Sequence, residues 1–297
     1  MGKAGKGETV MSDVRIGFMS SVAPHWSLDQ LIAAAKQYGF DGIELRVQWG
    51  HAFKLELDST KAQRNEARRK FTDAGVVVSC LALSARLAQA TDEARDAQVD
   101  EVARYAELAA DLGAPAMRVF GGPIPEGFTM ATLRDKTAAA FGKAAAKCAG
   151  LGVTPCLETH DVHNNPEDVA YIIKTANHPN LGVVWHAAHH MRLGISAADA
   201  YKQLKPYVRH CHISEGPRTG QEHSGDAPIP LGSGNGNVFQ VMKLLKADGF
   251  TGVMSWEWIN AVRSFGPSGP TLGDLLDPNP HLAQFAGKLK EYQAALR

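Results

Sequence analysis

Eight short apolar runs recur along the chain, and longer segments between them repeat apolar residues every three or four positions. The runs are VRIGFM (14–19), GIELRV (42–47), VVVSCLAL (76–83), AMRVF (116–120), VTPCLE (153–158), LGVVW (181–185), VRHCHI (208–213) and GVMSWE (252–257). They are apolar at most positions and rich in β-branched residues, as strands covered on both faces of a parallel sheet are. The intervening segments read as helices. LDQLIAAAKQYG (28–39), DEARDAQVDEVARYAELAADLG (92–113), FGKAAAKCAGLG (141–152) and VFQVMKLLKADG (238–249) each end on a glycine stop. Over 297 residues this is about 37 residues per strand–helix unit, and no Pro/Ser-rich linker interrupts the series. The pattern predicts an α/β protein with a (β/α)₈ barrel over residues 14–297, preceded by a disordered polar tail, residues 1–13. An open doubly wound sheet is the alternative. It would favour a glycine-rich phosphate loop after the first strand, and FMSSVAPHWS has none.

Composition acts mainly by exclusion. Basic and acidic residues number 31 each, for a net charge of zero, so no bulk attraction to nucleic acid or to an anionic membrane is expected. The basic run KAQRNEARRK (61–70) sits at helical spacing and reads as a solvated outer face. No stretch approaches about 18–20 uninterrupted apolar residues, and the first residues lack the apolar core of a signal peptide. Cys80, Cys148, Cys156 and Cys211 are scattered and form no CxxC motif. That points to a reducing compartment and a cytoplasmic protein.

Chemistry concentrates at the C-terminal ends of the last four strands, where barrels of this class carry their active sites. Strand five ends in LETH and strand six in VVWHAAHH. Strand seven contains HCHISE, and strand eight ends in SWEW. Glu158, His186, His212 and Glu257 thus stand at four successive tips. Neighbouring strands lie about 5 Å apart, so two carboxylates and two imidazoles can converge on one divalent cation. His160 lies just beyond the fifth strand. His190 reads as a surface or supporting imidazole. Trp26, Trp49, Phe53, Trp256 and Trp258 lie near strand tips and offer aromatic faces suited to sugar C–H groups. Among them Trp49 is taken as a substrate contact. The glycine- and proline-rich run between Glu215 and Gly236 is expected to be a long functional loop after strand seven.

These motifs, with PLGSGNG, GIELRV and RVFGG, resemble the xylose isomerase-like TIM-barrel superfamily. The nearest likeness is to its sugar isomerase/epimerase branch of ketose 3-epimerases, hydroxypyruvate isomerases and inosose dehydratases. The resemblance implies a divalent metal held by Glu158, His212 and Glu257. The family's aspartate position falls on His186. It further implies substrate contacts from His189 and Arg218, and proton transfer by Glu158 and Glu257 on opposite faces of a keto-sugar or keto-polyol through an enediolate. A neutral imidazole in place of aspartate removes one negative charge from around the ion. That shifts preference from Mg²⁺ towards Mn²⁺ above all, with Co²⁺, Fe²⁺ or Zn²⁺ also suited. The expected activity is isomerisation or epimerisation of a small carbohydrate, with β-elimination by a lyase or dehydratase as the alternative. An abasic-site endonuclease would need more metal ligands and a basic groove, and a barrel that binds sugar without catalysis is the non-enzymatic alternative. A homo- or hetero-oligomer is compatible with all of these.

Overall fold

The computed structural model describes residues 13–217, 227–260, 262–266 and 269–297. Eight parallel strands close into a barrel in sequence order: β1 (Arg15–Met19), β2 (Gly42–Arg46), β3 (Val77–Arg86), β4 (Ala116–Phe120), β5 (Thr154–Glu158), β6 (Gly182–His186), β7 (Val208–Ile213) and β8 (Val253–Trp256). The first and last strands pair through Gly17 and Ser255. Every predicted strand is present, with ends within a few residues of the expected positions.

The helices form because they present an apolar face to the barrel wall. They are α1 (Leu28–Tyr38), α2 (Lys61–Ala74), α3 (Asp92–Leu112), α4 (Met130–Cys148), α5 (Pro166–Ala176), α6 (Ala187–Met191), α7 (Ala197–Leu204), α8 (Val238–Ala247) and α9 (Asn279–Ala295). Six of them, α1–α5 and α7, also start on a side-chain cap. Ser27 and Thr60 each close a capping box, with Gln30 and Gln63 respectively. Helices α1, α2 and α3 stop at Gly39, Gly75 and Gly113, all left-handed. The basic stretch at 61–70 is the exposed outer face of α2, as expected; only Ala67 and Phe71 of that helix are buried.

Strand side chains alternate between two environments. Outward residues such as Phe18, Leu157, Trp185 and Trp256 join the helices in one continuous apolar core. Inward residues near the C-terminal mouth are polar and deeply buried: Glu44, Arg118, Glu158, His210 and His212 are each at most 2% exposed. The apolar layer supplies the stability, and the barrel axis is left for chemistry. All four cysteines are free and buried.

Several sequence expectations change. Trp256 does not line a sugar pocket; it faces the helices and stacks on Phe285. The histidine segment after β6 winds directly from the strand into a short helix, α6, which the sequence pattern did not predict. Helix α4 begins eleven residues before the predicted segment, capped by Thr129. A hairpin, β9 (Val262–Gly266) with β10 (Gly269–Leu272), follows β8 and was not foreseen. Asp13, assigned to the tail, pairs with Lys246 and Arg297 at 3.1 and 2.6 Å. Residues 1–12 of that tail lie outside the described residues, as do 218–226 of the long loop.

The RVFGG motif has a packing reason. A Cβ on Gly121 would lie 2.2 Å from Nδ1 of His163, a fully buried ring. Gly121→Ala should therefore displace His163 and cost about 1–3 kcal/mol. Urea unfolding of the variant measures this, and an unchanged midpoint would show that the ring is free to move aside.

Candidate metal centre

Glu158 and His186 are the last residues of β5 and β6, His212 is the penultimate residue of β7, and Glu257 directly follows β8. The barrel brings their ligand atoms within 4.8 Å of one another. Glu158 Oε1 lies 2.9 Å from His212 Nδ1 and 3.5 Å from His186 Nδ1. Glu257 Oε2 lies 3.4 Å from His186 Nδ1 and 3.7 Å from His212 Nδ1. A tetrahedron with metal–ligand bonds of 2.0–2.1 Å has edges of about 3.3 Å, so the four donors are spaced as ligands of one ion would be. His186 Nδ1 is buried and has no hydrogen-bond partner. A buried nitrogen left unsatisfied between two carboxylates fits a cation. The other ring nitrogen, Nε2, is 2.9 Å from Ser214 Oγ, which fixes the ring and the tautomer needed for ligation through Nδ1.

Sequence reasoning did not single out the supporting groups. Glu44 on β2 reaches across the barrel and accepts hydrogen bonds from His212 Nε2 at 2.9 and 3.0 Å and from His210 Nε2 at 3.0 Å. Arg118 on β4 donates to Glu158 Oε2 at 2.9 Å. Both residues sit inside motifs that were read only as strands and as likeness, GIELRV and RVFGG. Inward alternation along β2 and β4 was the signal that could have found them. A second group of possible ligands, Glu44, Cys80 and His210, lies within the barrel. It satisfies itself without an ion, since Glu44 is occupied by two imidazoles and burial holds the Cys80 thiol well above its usual range.

Charge in the cluster is tightly paired. Burial alone would raise the Glu158 carboxyl, but His212 and Arg118 hold it well below the usual carboxylate range. Burial opposes a charged His212, yet Glu44, Glu158 and Glu257 together raise its pKa well above the ordinary histidine value. His212 is thus an imidazolium when no ion is present, and an ion binding at Nδ1 must displace a proton.

Burial depresses the two histidines that follow His186 on α6, His189 and His190. His189 Nδ1 donates to the Thr159 carbonyl at 2.8 Å, which leaves Nε2 as an acceptor, and its ring lies 4.0 Å from that of His186. His190 is not a surface group: it is fully buried and donates to the Asn164 carbonyl at 2.5 Å. His160 pairs with Asp161 at 2.9 Å and contacts the His189 ring. Trp49 stands at the rim, 38% exposed, with its ring 4.4 Å from the Arg46 guanidinium. Arg218 lies outside the described residues.

Burial pushes His51, His186 and His190 down to about 4 and His189 to about 2. A histidine depressed by folding binds its proton more readily in the unfolded chain. The stability tied to these four is present above about pH 6.5 and is lost as pH falls towards their folded values. His212 runs the opposite way, contributing fully below about pH 6.5 and losing its contribution as pH rises through its elevated pKa. The four outweigh the one. Metal-free protein should therefore melt at a lower temperature at pH 5 than at pH 7, followed by circular dichroism in chelator. Equal or higher melting at pH 5 would contradict the burial of neutral imidazoles.

Comparison with known proteins follows the same lines. The family model described as a xylose isomerase-like TIM barrel matches residues 32–280. No curated protein matches the chain by sequence. Among solved structures, L-ribulose 3-epimerase superposes with a TM-score of 0.74 at 20% identity, covering 96% of each chain. A probable 3-DHS dehydratase from Bacillus anthracis gives 0.72 at 17% identity, covering 93% of this chain and 97% of its own. The 3-keto-D-glucoside 4-epimerase of E. coli gives 0.69 at 15% identity, covering 94% and 100%. At these identities the superpositions establish the fold.

Proposed function

Because the chain belongs to the xylose isomerase-like TIM barrel family, we propose that it is a divalent-metal-dependent enzyme that removes the proton next to the carbonyl of a keto-sugar or keto-polyol. The observation that carries this reading is the four-donor cluster with an unsatisfied buried nitrogen at its centre. Glu158, His186, His212 and Glu257 would hold the ion. When bound, it supplies a Lewis acid that polarises the carbonyl and lowers the barrier to losing the neighbouring proton.

The chain's own groups do the rest. Glu257, the most exposed of the four at 13%, would accept the proton. Glu158 stands across the cluster, fully buried, where it can return a proton to the opposite face, as epimerisation requires. His189, neutral and with Nε2 as an acceptor, would take a hydrogen bond from a substrate hydroxyl. Arg218 and the rim tryptophan Trp49 are the further proposed substrate contacts. The sugar epimerases and the probable dehydratase among the structural neighbours support carbohydrate chemistry of this kind.

One observation favours elimination as a second reading. Both Glu158 oxygens are engaged, one by Arg118 and one by His212, which leaves Glu257 as the carboxylate with a free face. A single base suffices to remove a proton and expel a β-oxygen, whereas epimerisation uses two.

The test is incubation of metal-loaded protein with a panel of ketoses in D₂O, followed by NMR. Deuterium at the carbonyl-adjacent carbon is expected, and its absence across the panel rejects the proposal. Metal identity is tested on the same reaction. Two imidazole donors favour Mn²⁺, Co²⁺ or Zn²⁺ over Mg²⁺. Exchange should vanish on chelation and return with Mn²⁺ at least about tenfold better than with Mg²⁺ at equal micromolar concentration. Equal restoration by Mg²⁺ would mean that His186 is not a ligand.

A further inference from the structure

Arg46 is a buried cation without an anion. It ends β2, on the side of the mouth away from the β5–β8 tips, and is 4% exposed. Its Nη1 donates to the Val47 and Ala82 carbonyls at 2.7 and 2.9 Å, and its Nη2 donates to Ser84 Oγ at 2.6 Å. All three acceptors are neutral, and no carboxylate lies within ion-pair distance among the described residues. The Trp49 ring covers one face of the guanidinium. Three hydrogen bonds and an aromatic face fix the group in orientation. Among the described residues Nε and a second hydrogen on Nη2 have no acceptor, and two such donors suit bidentate binding of a carboxylate.

The other charges at the mouth have partners. Glu158 pairs with Arg118, Glu44 accepts from His210 and His212, Glu257 lies beside His186 and His212, and the adjacent His51 is held neutral by burial. Burial and the neighbouring Arg118 push Arg46 down to about 8, against the longer-range pull of Glu257, Glu158 and Glu44. The guanidinium stays protonated, and none of those carboxylates pairs with it directly. A buried charge left unpaired is costly, and proteins keep one where a ligand supplies its partner.

We propose that the substrate is an anionic keto-sugar, such as a keto-uronate, whose carboxylate is received by Arg46. This rests on the metal-dependent reading above and adds the substrate's charge to it. The neutral acceptors hold the guanidinium ready, so the carboxylate anchors one end of the substrate while the carbonyl end lies at the Glu158–Glu257 cluster.

A matched pair tests it: D-fructose and D-fructuronate, which differ only in a CH₂OH or a carboxylate at the terminal carbon, with D-tagatose and D-tagaturonate as the second pair. Binding to the Mn²⁺-loaded protein is measured by calorimetry, and proton exchange in D₂O by NMR. The uronate of at least one pair should bind about tenfold to a hundredfold more tightly than its ketose. Arg46→Gln should bring the ratio close to one, and Arg46→Lys, which keeps the charge without the fork, should retain part of it. A purely structural arginine would weaken both members of a pair alike. Equal binding of ketose and uronate in both pairs, or a preference untouched in Arg46→Gln, overturns the proposal. If the Gln variant does not fold, the same comparison in Arg46→Lys decides. Exchange with the neutral ketose and no uronate preference would leave the metal-dependent reading standing. Uronate preference in binding with no exchange from any sugar would leave the Arg46 site standing and reject that reading.

Discussion

Glu257→Gln, saturated with Mn²⁺, should exchange the carbonyl-adjacent proton about 10²- to 10⁴-fold more slowly than the parent protein. Gln has the same shape and keeps an oxygen to offer the ion, so the loss reports the missing proton acceptor rather than a collapsed site. Glu257 is the right residue to test first. It is the cluster's most exposed member, and the contacts recorded for its carboxylate are His186 and His212 at 3.4 and 3.7 Å. Metal content should be measured beside the rate, because a variant that has lost its ion would be slow for a different reason. An exchange rate within threefold of the parent, with metal bound, removes Glu257 from the chemistry. Glu158→Gln then separates the two reactions. If both glutamates work, one on each face, its exchange into the opposite epimer falls as steeply. If Glu158 only holds the ion, the proton is still lost at a comparable rate once metal is saturating, and elimination is the better description.

Arg118→Met should be the most damaging single change to stability in the metal-free protein. Arg118 and Glu158 form an ion pair in which both partners are fully buried, at 2% and 0% exposure. Removing one member leaves a buried carboxylate with only His212 to answer it. Breaking such a pair costs about 3–5 kcal/mol. Because His212 remains, the lower end applies, on the order of 6 °C in melting temperature for a chain of this size. Arg118→Met combined with Glu158→Leu removes both charges together and should recover much of the loss, since an apolar pair of similar volume is often as stable as the ions it replaces. Thermal melts of the three variants in chelator decide it. A single variant that melts with the parent would show that the pair contributes nothing net. A double variant worse than the single would show that packing, rather than charge, dominates.

The barrel was readable because its strands are short, apolar and regularly spaced, and because the strand-to-helix repeat leaves few other topologies. The four residues of the candidate metal cluster were readable for the same reason: a residue at a strand tip has its position fixed by the strand. Glu44 and Arg118 were not read, although they sit in apolar strands and are among the most deeply buried charges. Their importance lies in contacts between strands distant in sequence, 166 residues apart for Glu44 and His210, and local pattern does not report such contacts. Trp256 failed for a related reason. A tip residue faces either the mouth or the helices, and a shift of one position exchanges the two. The hairpin after β8 and helix α6 were missed because short elements between longer ones carry too few residues to show a period.

Glu44 spans the interior from β2 to β7, with β1 and β8 lying between them on the barrel wall. The imidazole that would hold the ion is thereby tied to a stave on the far side of the cylinder. Loading or stripping the ion changes the charge on that imidazole and so the pull on its distant tether. A bound cation would then act as a hub for the whole ring of staves, and a chelator would reach well past the pocket it empties.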